Sequence, residues 1–256
     1  MTAERDSTVH DAVRYPLRGE DAIGTLLIGG LLVSLWLGAA TTAALATAAD
    51  PRSGAVVALP TLPVVGGSWL LLLGFLVACL RRSANGRDEP PRFDSWGQLL
   101  LDGLRGTVVV AAFALPILVV FAITAAAPTV APTVPASALG PLEPVSSWVP
   151  VVQPWVPFVG AGLFAAGVSY PAAVVLCAMS IGGLRAMGSV QSIAAGGTVE
   201  FTVAWLGSLV ATVLVIVVAT PLLVLFVGAV AMFYVPMAAS RLLGRAYRSG
   251  LAAPPG

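Results

Sequence analysis

Between Val203 and Ser240 the chain runs for 38 residues without a charged side chain. As one helix that run would be about 57 Å long, nearly twice the roughly 30 Å hydrocarbon core of a bilayer. It must therefore turn back on itself, and Thr220-Pro221 is the natural place. The rest of the chain agrees with a membrane setting: 58% of its residues are hydrophobic and only 10% charged, against about 25% charged in a soluble domain. Thirteen basic and twelve acidic side chains cannot screen that much apolar surface from water.

Four further apolar runs complete the set, giving spans near 23–49, 64–80, 106–127, 157–181, 203–219 and 221–240. The start of the second is blurred by Pro60 and Pro63. Loop charge fixes the expected orientation. With the amino terminus inside, the inner segments hold Arg5, Arg14, Arg18, Arg81, Arg82, Arg87, Arg92, Arg105, Arg185, Arg241, Arg245 and Arg248, and the outer segments hold Arg52 alone. Reading the last run as one span would put three Arg outside and spoil this positive-inside bias. The first span resembles a signal peptide at Ala44-Leu45-Ala46, but it is too long, and the acids ahead of it outnumber the Arg. The expectation is an all-α polytopic bundle, a single transmembrane domain over residues 1–256. It has six spans, both termini cytoplasmic, in the plasma membrane.

The loops carry most of the remaining signal. After Pro90-Pro91, Ser95 to Gln98 reads as a capping box. Trp96, Leu99, Leu100, Gly103 and Leu104 follow on one helical face, with Gln98, Asp102 and Arg105 opposite. This predicts an amphipathic helix lying in the inner headgroup layer and anchored by Trp96. A second, weaker one is expected where Val190, Ile193 and Ala194 share a face before Gly196-Gly197. Gly183-Leu184-Arg185 echoes Gly103-Leu104-Arg105, which admits a three-plus-three pseudo-repeat. Residues 128–156 hold seven prolines and one charge, Glu143, and favour extended chain over the outer helix ends, with Trp148 and Trp155 in the headgroup layer.

Chemistry is sparse. Net charge is +1, so no basic field for nucleic acid exists. The single histidine, His10, cannot build a multi-His metal site. Cys79 and Cys177 sit in apolar runs and read as packing residues. No GxSxG, HExxH, CxxC or Walker signature occurs, and Lys is absent. The expectation is no catalytic residue, no cofactor and no metal. Asp88-Glu89 and Asp94 with Asp102 are clustered carboxylates, best read as partners of neighbouring Arg. No span carries an ionised side chain at its middle; its hydroxyls are expected to bond their own backbone or a neighbouring helix. Ser169 and Tyr170 beside Pro171 are the one candidate polar site within the spans. Gly29-Gly30, Gly66-Gly67 and Gly160-x-Gly162 read as helix contacts.

Several segments resemble one family. Tyr15-Pro16 with Gly19-Glu20-Asp21, Gly74-Phe75 with Leu80-Arg81, and Pro91-x-Phe93-Asp94-x-Trp96-Gly97 followed by Asp102-Gly103-Leu104 are similar to an archaeal membrane family, domain of unknown function 4013 (DUF4013), abundant in halophiles. Arg241-Leu242-Leu243-Gly244-Arg245-Ala246-Tyr247 fits as well. Ala78 stands where a basic residue is expected, and residues 182–202 are unusually rich in Gly. The family has no assigned activity; the resemblance implies an archaeal plasma membrane and a six-helix pattern. In outline it is similar to the membrane part of some glycerophosphodiester phosphodiesterases, which suggests a non-catalytic module.

The leading expectation is a non-enzymatic module that organises membrane lipids or partner proteins at the inner face, through the 81–105 loop and Phe93, Trp96, Asp102 and Arg105. The competing one is a permease or channel component for a neutral or apolar solute, lined near Ser169 and Tyr170.

Overall fold

A computed structural model describes residues 9–126, 156–186 and 189–252. Among these, the long helices are α1 (Ala22–Ala49), α2 (Pro51–Ala84), α3 (Trp96–Ala126), α4 (Val156–Gly182), α6 (Val199–Ala219) and α7 (Val227–Ala252), with a short α5 (Val190–Gly196) before α6. All six long ones contain a stretch apolar and long enough to cross a membrane. The protein is a multi-pass, all-α membrane protein. The expected outer loop, including Glu143, Trp148 and Trp155, lies outside the described residues apart from Val156.

The boundaries show where local signals lose. Asp50 alone joins α1 to α2, capping both: its N–H donates to the Ala46 carbonyl, and its carboxylate accepts from the Arg52 N–H at 3.1 Å. Proline at the first helical position suits such a start. The expected late entry to the second span is corrected, because α2 runs through Pro60 and Pro63. Proline inside a membrane helix is tolerated where neighbouring groups satisfy the freed carbonyls. The turn at Thr220-Pro221 is present as a 3-10 segment, Pro221–Leu225, closed by Phe226 at φ 61°. The last helix, however, continues to Ala252 rather than ending at Ser240.

The separate surface helix expected at 95–105 does not form. Ser95 stands at its predicted boundary, but α3 continues unbroken to Ala126: no Gly-Pro break follows Arg105, and Pro116, which does remove one N–H, is accommodated inside the helix. Its buried stripe is Leu99, Asp102, Gly103, Gly106 and Val109, while Leu100, Leu101, Leu104 and Val108 face outward. The apolar face read from the sequence is therefore split: Trp96, Leu100 and Leu104 are exposed, whereas Leu99 and Gly103 are buried. In lipid, large apolar side chains gain nothing from burial, whereas small and polar ones allow close approach and pairing. The same preference holds at α5, where Ala195 is buried and Ile193 is 63% exposed. The Gly-Leu-Arg echo is not structural either. Gly103 lies inside α3, whereas Gly183 follows the end of α4 at φ 67°.

The described residues fall into two compact units, one of 1–108 with 173–256, the other 109–172. In the first, α7 packs on α1, α2, α5 and α6. Its core joins Phe75, Leu99, Phe233, Met237 and Tyr15, with Phe93 stacked on Phe75 at 4.4 Å. Glycine sets two crossings. A Cβ on Gly74 would lie 1.9 Å from the Leu99 carbonyl oxygen, and one on Gly103 would lie 1.9 Å from that of Leu70. Gly29 and Gly30 likewise admit Phe233 and Val230 of α7. The expected contact at Gly66-Gly67 is corrected: a Cβ at either meets nothing within 4 Å. The second unit holds the remaining parts of α3 and α4, where the Ser169 hydroxyl donates to the Ala166 carbonyl at 2.7 Å.

Gly103→Ala should lower the thermal midpoint of the detergent-solubilised protein, by the equivalent of about 1–3 kcal/mol of overpacking. Gly66→Ala should leave it level or slightly higher. Circular dichroism melts of the two variants check this, and equal melts would remove the crossing argument.

Candidate functional site

Charged side chains gather where the long helices end, in two clusters within the first unit. The first forms at the end of α2. The Nη1 and Nη2 atoms of Arg81 each donate to an oxygen of Asp102 at 2.9 Å, and its Nε donates to the Ser180 carbonyl at 2.9 Å. One guanidinium thus binds the start of α3 and the end of α4. The Asp102 side chain is only 4% exposed, while Arg105, 3.8 Å away, is 51% exposed. The geometry is the planar, two-bond fork that makes Arg rather than Lys the residue for such a role. A cavity of about 480 Å³ opens beside it, lined by Arg81, Asp102, Arg105 and the turn Met179–Gly183.

The second cluster surrounds Arg241 on α7, whose side chain has no exposed surface. Its Nε pairs with Asp11 at 3.3 Å, Nη1 donates to the Arg87 carbonyl at 2.5 Å, and Nη2 pairs with Asp88. The Tyr15 ring lies beneath it, 5.1 Å from the guanidinium carbon. Asp11 also pairs with Arg18 and Arg245, each at 2.5 Å. Partial burial pushes the Asp11 carboxyl up, but the Arg18 hydrogen bond and the charges of Arg245, Arg18 and Arg241 outweigh it and hold it below the ordinary 3.8. Burial raises the Tyr15 phenol, so it stays neutral. Its hydroxyl donates to the Glu89 carbonyl at 3.4 Å, and Arg82 donates to that of Pro90 at 3.1 Å. The amino-terminal strap and the α2–α3 loop are both fastened to α7 in this way.

The residues singled out from the sequence divide. Asp102 and Arg105 belong to the first cluster. Phe93 packs into the core between Phe75 and Trp96, and Trp96 itself remains 44% exposed. Ser169 and Tyr170 belong to the second unit, whereas both charge clusters belong to the first. Asp88 pairs with Arg, and among the described residues no group of three His, Cys, Asp or Glu is placed to hold a metal ion. Sequence reasoning treated Arg241 as a loop charge and gave Asp11 no role. The missed signal was spacing: Arg241, Arg245 and Arg248 recur at i, i+4 and i+7, one face of a continuing helix.

A family model described as Protein of unknown function (DUF4013) matches residues 54–147. That stretch holds Arg81, Asp88, Asp102 and Arg105, but it is less than half of the chain, and it leaves out Asp11 and Arg241. No curated protein and no solved structure matches the chain.

The lowered Asp11 carboxyl fixes an acid limb. Its contribution is complete above about pH 4, the ordinary value, and is lost as pH falls through the lower value it has when folded. Melting temperature should therefore decline below pH 4, and Asp11→Asn should lower it at pH 7 and flatten the decline. Arg241→Met should cost about 3–5 kcal/mol, as breaking a buried pair from one side does, read by denaturant unfolding in detergent.

Proposed function

We propose that this chain is a non-enzymatic module of an archaeal plasma membrane, which organises lipids or partner proteins at the inner face. One observation supports the reading. The ionised side chains of the long helices lie near their ends, where Arg81, Asp102, Arg241 and Arg245 are held in ion pairs, while the stretches between them carry none. Ion-coupled transport calls for charge at mid-membrane, and catalysis for an acid, base or nucleophile left available. The span hydroxyls lean the same way: those of Ser34, Ser68, Ser208 and Thr212 donate to carbonyls four residues back in their own helices. The Arg-rich ends set the orientation, with both termini and the 81–105 segment inside.

Two measurements test this. In Asp94→Cys and Arg52→Cys variants, a membrane-impermeant maleimide should label position 52 on intact cells and position 94 only after the membrane is opened. The reverse pattern would invert the module. In proteoliposome swelling assays, glycerol and urea should enter no faster than into protein-free vesicles. Faster entry would favour a permease for neutral solutes.

A further inference from the structure

We propose that the cavity beside Arg81 and Arg105 is a binding site for the phosphate of an anionic lipid headgroup. The inference rests on the module reading above, since it takes this end of the bundle to lie at the inner headgroup layer.

Charge is the first argument. Among the described residues the cavity wall holds two guanidinium groups against one carboxylate, a net positive charge after the Arg81–Asp102 pair has neutralised itself. In the second cluster Arg241 itself has no exposed surface, and Arg18 and Arg245 are each closely paired with Asp11 at 2.5 Å.

Preorganisation is the second. Arg81 is held by three of its five N–H groups, two on Asp102 and one on the Ser180 carbonyl. Two N–H groups remain uncommitted among the described residues, on a guanidinium whose position is already fixed, so little side-chain freedom is lost when an anion arrives. Arg105 differs. Half exposed and in an ion pair with Asp102 at 3.8 Å, it stands beyond hydrogen-bond distance of that carboxylate while lining the cavity. A tightly held guanidinium and a second, less committed one suit a tetrahedral anion.

The surroundings select the source of that anion. The cavity volume, about 480 Å³, falls in the range of small-ligand sites, roughly 300–1,000 Å³. Ile181 lines it and is itself exposed, and Leu101, Leu104 and Val108 stand outward along α3 from the same turn as Arg105. These side chains form an apolar track leading away from the charged pocket. A free phosphate has no use for such a track, whereas the hydrocarbon chains of a membrane lipid do. Basic pockets between membrane helices on the cytoplasmic side are where anionic headgroups are held.

The test is a lipid titration of the full-length protein in neutral detergent, followed by thermal unfolding. Dihexanoyl phosphatidylglycerol should raise the melting temperature saturably, and the effect should weaken as salt is raised. Dihexanoyl phosphatidylcholine and inorganic phosphate at the same concentrations should leave it unchanged. Arg105→Gln should weaken the apparent affinity roughly tenfold, as loss of one charge-assisted hydrogen bond does. Arg105→Lys should retain much of it, and Arg52→Gln, at the opposite end of α2, should titrate as the parent. An equal shift with phosphatidylcholine would overturn charge recognition, and an equal shift with inorganic phosphate would overturn the lipid. A parent titration that is flat, or one that Arg105→Gln leaves intact, would overturn the site. The maleimide and swelling assays report separately on the module. A flat titration with position 94 still inside sinks the pocket alone. Binding with position 94 outside sinks the inner-face reading.

Discussion

A guanidinium with no exposed surface sets the terms for the end of the first unit where the charged side chains gather. Stripping such an ion of water costs several kcal/mol unless carboxylates and carbonyls replace the lost solvent. Arg241 obtains these replacements from segments far apart in sequence: Asp11 from the amino-terminal strap, Asp88 and the Arg87 carbonyl from the α2–α3 loop. Satisfying one side chain therefore requires three pieces of chain to meet. The Arg81–Asp102 pair does the same for α2, α3 and α4. Between spans whose apolar surfaces are as content with lipid as with each other, such pairs supply direction that the hydrophobic effect cannot. They act as register marks, fixing which helix ends lie together.

Glycine supplies the complementary constraint. Where Gly74 meets the Leu99 carbonyl and Gly103 that of Leu70, backbone rests on backbone with no side chain between. Dispersion at such a crossing depends on shape, so it tolerates little change. Ion pairs at the helix ends and bare backbone in their contacts divide the work between selecting neighbours and holding them close.

The architecture was legible because it follows from bulk quantities. A chargeless run too long for one crossing, and Arg placed at alternate ends, lead to six helices with little reference to particular contacts. At α3 and α5 the inward face was not legible by the rule for soluble helices, because in lipid small and polar side chains gain more from burial than large apolar ones. Leu100 and Leu104 face out while Asp102 and Gly103 face in. The cluster was half legible. Asp102 and Arg105 were visible as the polar side of one helix. The Asp11–Arg241 pairing spans 230 positions, and a single sequence carries no mark of which distant carboxylate will meet a given Arg. The spacing of Arg241 and Arg245 on a helical face was the one local clue.

The single residue between α1 and α2 bears on how the protein is made. With only Asp50 separating the two helices, no stretch of chain exists that could wait in water on the far side while the second span is synthesised. The carbonyls ending α1 and the N–H groups opening α2 are capped through that one residue and its neighbours. Left in lipid one at a time, those ends would expose unpaired backbone groups, each costing several kcal/mol. The first two spans are thus a hairpin whose insertion as a unit costs less than insertion one helix at a time, since the two ends at the turn are satisfied together.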